Sequence, residues 1–306
     1  GASYNGRKWK RLSVKVLEKK KSKTAWRLPA GLGRGTPGRK FFLGAVLAVL
    51  TVVIYLPSTR CGFIWDDDCY VTDNQCLEST EGLKQIWLNI KTNKQYYPLV
   101  FTSFWVEHFF FGHQPFVYHL DNILLHAANA VLLWMILGRL QVPFAWIAAA
   151  VFALHPINVE SVAWITERKN LLSAFFSGLS LLAYFRVFPP VKRREGPVAT
   201  VSETDRTAAY FLSLAFFVCA LFSKTVAAVL PVVIILLFWW RKRPIESRRL
   251  FTLLPFFIFS GLAATVTIVL EKWHAGAYGP PWDLTFVERI LIAGRALWFY
   301  AEKIFW

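Results

Sequence analysis

Three consecutive carboxylates, Asp66, Asp67 and Asp68, stand in the stretch CGFIWDDDCYVTDN (61–74). Cations recur in apolar surroundings far downstream: Arg168 and Lys169 close HPINVESVAWITERKN (155–170), and Lys224 interrupts LFSKTV (221–226). His155 and Glu160 lie in the second of these stretches. Ionisable groups at a bilayer are costly, and their default reading is functional. A carboxylate crowded by like charge has its pKa raised and can act as a general base on a hydroxyl. A set of cations can hold a phosphate and stabilise it as it leaves. Together they form an acid-and-base pocket suited to moving a group off a phosphate onto a hydroxyl, and a sugar carried on a lipid phosphate is one donor that needs both halves.

Each motif also has a plainer reading. An acidic run beside a membrane is also what a solvated loop looks like. Carboxylates can hold a divalent cation, but adjacent side chains point apart, so the triplet alone makes no metal site. No metal ligands are assigned, and a divalent ion is compatible with the pocket without being required. Arg168 and Lys169 can anchor a helix end by snorkelling. His155 alone fits a structural histidine.

The elements that must position these residues are helices in a membrane. The 306-residue chain is 55% apolar and 17% aromatic with only 18% charged residues, against roughly 25% in an ordinary soluble domain. Apolar runs suggest helices over about 41–57, 117–137, 143–154, 170–188, 208–222, 226–240, 251–270 and from 287. Several are long enough to cross roughly 30 Å of hydrocarbon. The run 143–154 is too short by itself, so flanking residues must extend it or protein must line it. The run YYPLVFTSFWVEHFFFG (96–112) carries Glu107 and His108 and fits an interfacial helix. The expected fold is an all-α polytopic membrane protein, with a basic, disordered cytoplasmic tail at 1–40 and one transmembrane domain at 41–306.

The formal charge of +16 first suggests nucleic acid, but its distribution argues against that. Thirteen of the 35 Lys and Arg residues fall in 1–40, and most others fall in short loops such as VKRREG (191–196) and RKRPIESRR (241–249). This is the positive-inside pattern, with attraction to anionic headgroups as its consequence. It puts 58–116, 155–169, 223–225 and 271–286 on the opposite, extracytoplasmic face, where every chemically unusual motif lies. No cleavable signal follows 41–57. The chain begins at Gly1 and ends at Trp306 within an apolar stretch, which suggests a fragment.

His119, Asn122, His126 and Asn129 fall at i, i+3, i+7 and i+10, one helical face that must turn inward. Interhelical hydrogen bonding explains that stripe without catalysis. Cys61, Cys69 and Cys76 share one loop, and Cys219 stands apart. One disulfide fits an extracytoplasmic loop, with unknown pairing.

Taken together, GFIWDDDCYVTDN, QYYPLVFTSFWVEHFFFG, YHLDNILLHAANAVLLW, FALHPINVESVAWITERKNLLSAFF, LFSKTVAAVLPVVIILL and ALWFYAEKIFW resemble a known family. They look like the polyprenyl-phosphate-dependent membrane glycosyltransferases of the GT-C fold. Within these the chain is most similar to the protein O-mannosyltransferase-like group that carries tetratricopeptide repeats. The resemblance runs from about Gly62 to Trp306, and the fourth stretch is its most specific part. It implies an acidic pair with a catalytic role at Asp66 and Asp67, Asp66 being the better match for the base. It also implies donor-phosphate contacts at Arg168, Lys169 and Lys224, with His155 and Glu160 in support. The implied partners are a polyprenyl-phosphate-sugar donor, a protein acceptor and membrane lipids, with no nucleic acid and no organic cofactor. The implied location is a bacterial plasma membrane or the endoplasmic reticulum membrane. Two departures stand out: the family continues with further membrane helices and repeats, and residues 1–40 do not match its short N-terminus.

The reading that follows is a glycosyltransferase moving a mannose-type sugar to a protein Ser/Thr hydroxyl. A related enzyme glycosylating a lipid or cell-wall glycan, a proton-coupled transporter and an inactive scaffold are the alternatives. A transporter would place its ionisable residues near the bilayer midplane, in broken helices.

Overall fold

The computed structural model describes residues 36–191, 202–244, 246–273, 279 and 283–305. Among these there is no strand. The helices are α1 (Pro37–Tyr55), α2 (Thr80–Leu88), α3 (Pro98–Phe111), α4 (Pro115–Arg139), α5 (Ala145–Leu154), α6 (Val159–Ala163), α7 (Arg168–Val187), α8 (Glu203–Ser223), α9 (Leu230–Trp240), α10 (Ser247–Trp273) and α11 (Phe286–Phe305). Pro37–Trp306 group as one contact unit. The basic tail expected over 1–40 lies, up to residue 35, outside the described residues, and α1 begins at Pro37.

Five segments are long and apolar enough to cross a membrane: Pro37–Arg60, Pro115–Arg139, Ile165–Val187, Glu203–Ser223 and Arg249–Lys272. A sixth arises if Ala145–Leu154 and Pro156–Ala163, bent by 53°, count as one span. Counted so, the short run at 143–154 is extended by its flank, across a break at His155-Pro156 where proline cannot continue the helical hydrogen bonding. The chain is therefore an all-α, multi-pass membrane protein. Thr225–Trp240 remains a shorter apolar piece. Helix α11 carries Glu288, Arg289, Arg295, Glu302 and Lys303 and is not among the five. Helix α3, with 14 residues, is too short to span. It opens on Pro98, whose missing N–H would have no helical partner anyway. It ends at Gly112, whose φ of +61° turns the chain away at a value that suits glycine.

A broken span leaves backbone carbonyls without partners, which lipid cannot supply. The polar stripe of α4 supplies them. Asn122 Nδ2 donates to the carbonyl of Trp164 at 3.2 Å. His126 Nε2 meets the Ala153 carbonyl, the last turn of α5, at 3.0 Å. Asn129 Nδ2 donates to the Leu171 carbonyl at 2.9 Å. Three of the four stripe residues noted in the sequence, Asn122, His126 and Asn129, thus form a ladder of side-chain caps on the irregular α5–α7 stretch.

Helices α7 and α8 pair at close range, with Ser180 and Ser213 each donating a hydroxyl to the other's carbonyl at 2.8 Å. Beside them Leu181, Tyr184, Phe185, Phe217, Phe238 and Phe256 form the main apolar core. The two ends of the bundle differ. At one, Arg206 donates to the Val187 carbonyl at 3.1 Å. There too Arg249 lies over the rings of Phe238 and Phe188 at 4.2 and 5.3 Å. This end carries Arg206, Arg241, Arg243 and Arg249 among the described residues. The other collects the acidic triplet, TERKN and Lys224.

Candidate active site

The site is built on a turn held in an unusual conformation. Trp65 has φ = +51°, a left-handed value that costs a bulky residue of order 1–3 kcal/mol. Its ring packs edge-on against Trp164, with centroids 4.9 Å apart. The next three residues then take different roles. Asp67 is fully buried. Its Oδ2 accepts from the Ile64 N–H at 2.9 Å, and its Oδ1 accepts from the Thr166 N–H at 2.9 Å and from the Thr166 hydroxyl. That carboxylate clamps the 64–68 turn to the turn that opens α7. Asp66 and Asp68 are exposed. The Asp66 side chain makes no hydrogen bond among the described residues, while its field reaches Tyr70 and Lys94.

The cations divide as well. Arg168 is fully buried, and its guanidinium is spent on protein. Nε donates to Asn122 Oδ1 at 2.8 Å and Nη2 to the Tyr118 carbonyl at 2.8 Å. Nη1 is paired with Glu107 and lies 3.3 Å from Asp121 Oδ2. The group sits 4.6 Å above the Phe104 ring. Arg168 therefore rivets α3 and α4 to α7, and it faces away from the two lysines. Lys169 and Lys224 meet instead at Glu167. Lys169 Nζ is 2.9 Å from Glu167 Oε1, and Lys224 Nζ is 3.8 Å from Oε2. Asn170 joins them, accepting from Lys224 Nζ at 2.6 Å and donating to Glu167. Burial lowers the Lys224 ammonium below its ordinary value, against the field of Glu167, which raises it.

An aromatic and amide wall closes this cluster. Lys169 Nζ lies 5.4 Å from the Tyr70 ring centre and 5.9 Å from that of Trp164. The Tyr70 hydroxyl donates to Gln95 Oε1 at 2.7 Å, and Gln95 Nε2 donates to Glu271 Oε1 at 3.1 Å. Burial raises the Tyr70 phenol, with Asp66 and Glu167 adding to the shift, so both carboxylates act on that one hydroxyl.

Of the residues singled out from the sequence, the structure brings together the Asp66–Asp67 turn, Lys169 and Lys224, with Glu160 in electrostatic reach of Lys224. Arg168 is adjacent in chain but turned away. His155 acts locally: its Nδ1 accepts from the Ile157 N–H at 3.2 Å at the break after α5. Glu167, Asn170, Tyr70, Gln95, Lys94 and Glu271 were not singled out. The signal for the first two lay within TERKN itself, where acid and amide flank the cations. Among the described residues no group of three or more His, Cys, Asp or Glu side chains could hold a metal. All four cysteines are free thiols. The two ammoniums share the Glu167 carboxylate, and Asp66 stands exposed on the turn that Asp67 ties to Thr166.

No family model matches the chain, and no solved structure shows significant similarity to it. Curated proteins do. The chain is 28% identical over 181 residues to the protein O-mannosyl-transferase Tmtc3 of Drosophila melanogaster, covering 49% of this chain and 19% of that one. It is 30% identical over 151 residues to the protein O-mannosyl-transferase TMTC3 of Homo sapiens, covering 46% and 16%. It is 33% identical over 152 residues to the protein O-mannosyl-transferase TMTC2 of Mus musculus, covering 46% and 18%. The chain spans about a fifth of the length of these relatives. About half of this chain is thus similar to curated protein O-mannosyl-transferases.

Proposed function

We propose that the chain carries the catalytic face of a glycosyltransferase that moves a mannose-type sugar from a polyprenyl-phosphate donor to a protein Ser or Thr hydroxyl, on the extracytoplasmic side. The observation that carries this reading is the pair Lys169 and Lys224 gathered on Glu167, beside the exposed Asp66 turn. The lysines bind the donor phosphate and neutralise it as the sugar–oxygen bond breaks. The Asp66 carboxylate accepts the hydroxyl proton while the hydroxyl oxygen attacks the anomeric carbon from the face opposite the leaving phosphate. The polyprenyl phosphate departs with the bonding electrons, and the product is inverted.

In this scheme Asp67 positions Asp66, since its own oxygens are taken by Ile64 and Thr166. Arg168, assigned to the phosphate on resemblance, holds the site together from behind. Glu160 and His155 support the loop. The extracytoplasmic assignment rests on the separation of this cluster from the basic end of the bundle. The test is a membrane assay with radiolabelled polyprenyl-phosphate sugars, comparing the wild-type chain with Asp66→Asn. Transfer lost in the variant at unchanged protein level supports the proposal, and equal transfer by both overturns it.

A further inference from the structure

A groove of about 530 Å³ opens on the flank formed by α3, α4 and α7, within the roughly 300–1,000 Å³ of small-molecule sites. Leu99, Val106, Leu120, Leu124, Leu172 and Phe176 make apolar walls. Two carboxylates interrupt them, Glu107 and Asp121. Both lean on a single cation, the fully buried guanidinium of Arg168. Burial pushes the Glu107 carboxyl above its ordinary value against the pull of that guanidinium, so Asp121 is the acid the groove presents outward. Glu107 is only 7% exposed, and its Oε1 has no hydrogen-bond partner. The Asp121 side chain is 41% exposed. An underpaired acid in an apolar wall is unfavourable unless a ligand answers it. The complement is an apolar chain bearing a positive charge with N–H donors.

The position of the groove narrows the ligand further. It runs from Phe111 and Val117, near the ends of α3 and α4, to Leu124 on α4 and Phe176 on α7. Leu99 carries it twelve residues back along α3 from Phe111, about 18 Å of helix, still short of the roughly 30 Å hydrocarbon core. That is the depth of a lipid headgroup and the upper part of one acyl chain. We infer that this groove binds a membrane phospholipid with a primary ammonium headgroup, the ammonium paired with Asp121 and the upper acyl chain lying against Leu120, Leu124, Leu172 and Phe176. The inference does not rest on the glycosyl-transfer reading. A choline headgroup has the charge without the N–H donors, and a glycerol headgroup lacks the positive charge.

The test uses the purified chain in detergent micelles doped with phosphatidylethanolamine, phosphatidylcholine or phosphatidylglycerol, with retained lipid read by native mass spectrometry. Phosphatidylethanolamine should be retained about tenfold over the other two, the scale of one charge-assisted hydrogen bond. Asp121→Asn should erase that preference. Leu124→Trp, which fills the groove without touching the acids, should reduce retention of phosphatidylethanolamine in a chain of unchanged helicity. Equal retention of all three lipids by the wild-type chain overturns the inference, as does preference for phosphatidylglycerol. So does a preference that survives both substitutions, or a chain that dimerises in the micelle and retains no lipid.

Discussion

Asp67 and Thr166 lie 99 positions apart, yet Asp67 Oδ1 accepts both the backbone N–H and the hydroxyl of Thr166 in a fully buried contact. This one carboxylate joins the acidic turn to the start of α7, and so sets where Asp66 stands relative to Lys169.

Removing that acceptor strands the donors of Ile64 and Thr166. Each buried group left unpaired costs about 1–3 kcal/mol, so Asp67→Ala should lower stability by about 2–5 kcal/mol. Thermal unfolding in micelles reads this directly, and an unchanged midpoint would mean that the clamp carries no weight.

Asp66→Asn should behave in the opposite way. The side chain is exposed and its carboxylate holds nothing, so the unfolding midpoint should not move. Turnover should fall by about 10² to 10⁴, the usual cost of a lost general base. Asp68→Asn, also exposed, should be mild in both measurements. If Asp68→Asn alone were lethal to turnover, the base would be the third carboxylate of the triplet.

Arg168→Ala leaves Glu107 and Asp121 facing each other without their cation. Breaking a buried ion pair from one side typically costs about 3–5 kcal/mol. The prediction is a chain that unfolds early or expresses poorly, rather than a folded one with a raised donor KM. A folded variant of normal stability that only binds donor weakly would return Arg168 to the phosphate site.

Lys224 offers a pH test. Burial lowers its ammonium from the ordinary 10.5, so the folded chain releases that proton more readily than the unfolded one. Its contribution to stability therefore rises with pH through the window below 10.5. Donor binding runs the other way, because only the charged form holds phosphate, and it should weaken on the alkaline side earlier than a free lysine would. Lys224→Arg keeps the charge and should move that alkaline limb to higher pH. An identical limb in both proteins would show that another group sets it.

Topology is testable by labelling. In a background with Cys61, Cys69, Cys76 and Cys219 replaced by serine, Ser79→Cys should react with an impermeant maleimide from outside, and Arg243→Cys only after permeabilisation. The reverse pattern would put the lysine cluster on the basic, inner face.

Much of this protein is local, and so could be read from the chain. Apolar runs of sufficient length must become helices in a bilayer, because lipid offers no partner to a free backbone group. The stripe His119, Asn122, His126 and Asn129 was visible as one face, because helical periodicity is a property of consecutive residues. The break at Ser223–Thr225 was visible because a lysine punctuates an apolar run. What remained hidden was direction and partnership. Arg168 and Lys169 are neighbours, and nothing in their order says that one points back to Glu107 and the other forward to Glu167. About 100° of helix separates successive side chains, so the packing of α3 and α4 on one side and the Lys224 turn on the other decided their fates. Asp66 and Asp67 looked equivalent until the long-range contact with Thr166 buried one and left the other open. Composition and periodicity determined that these charges would meet at one end of a helical bundle. Only tertiary structure decided which of them are spent on holding it together and which are free to act, because burial is a property of what the rest of the chain brings alongside.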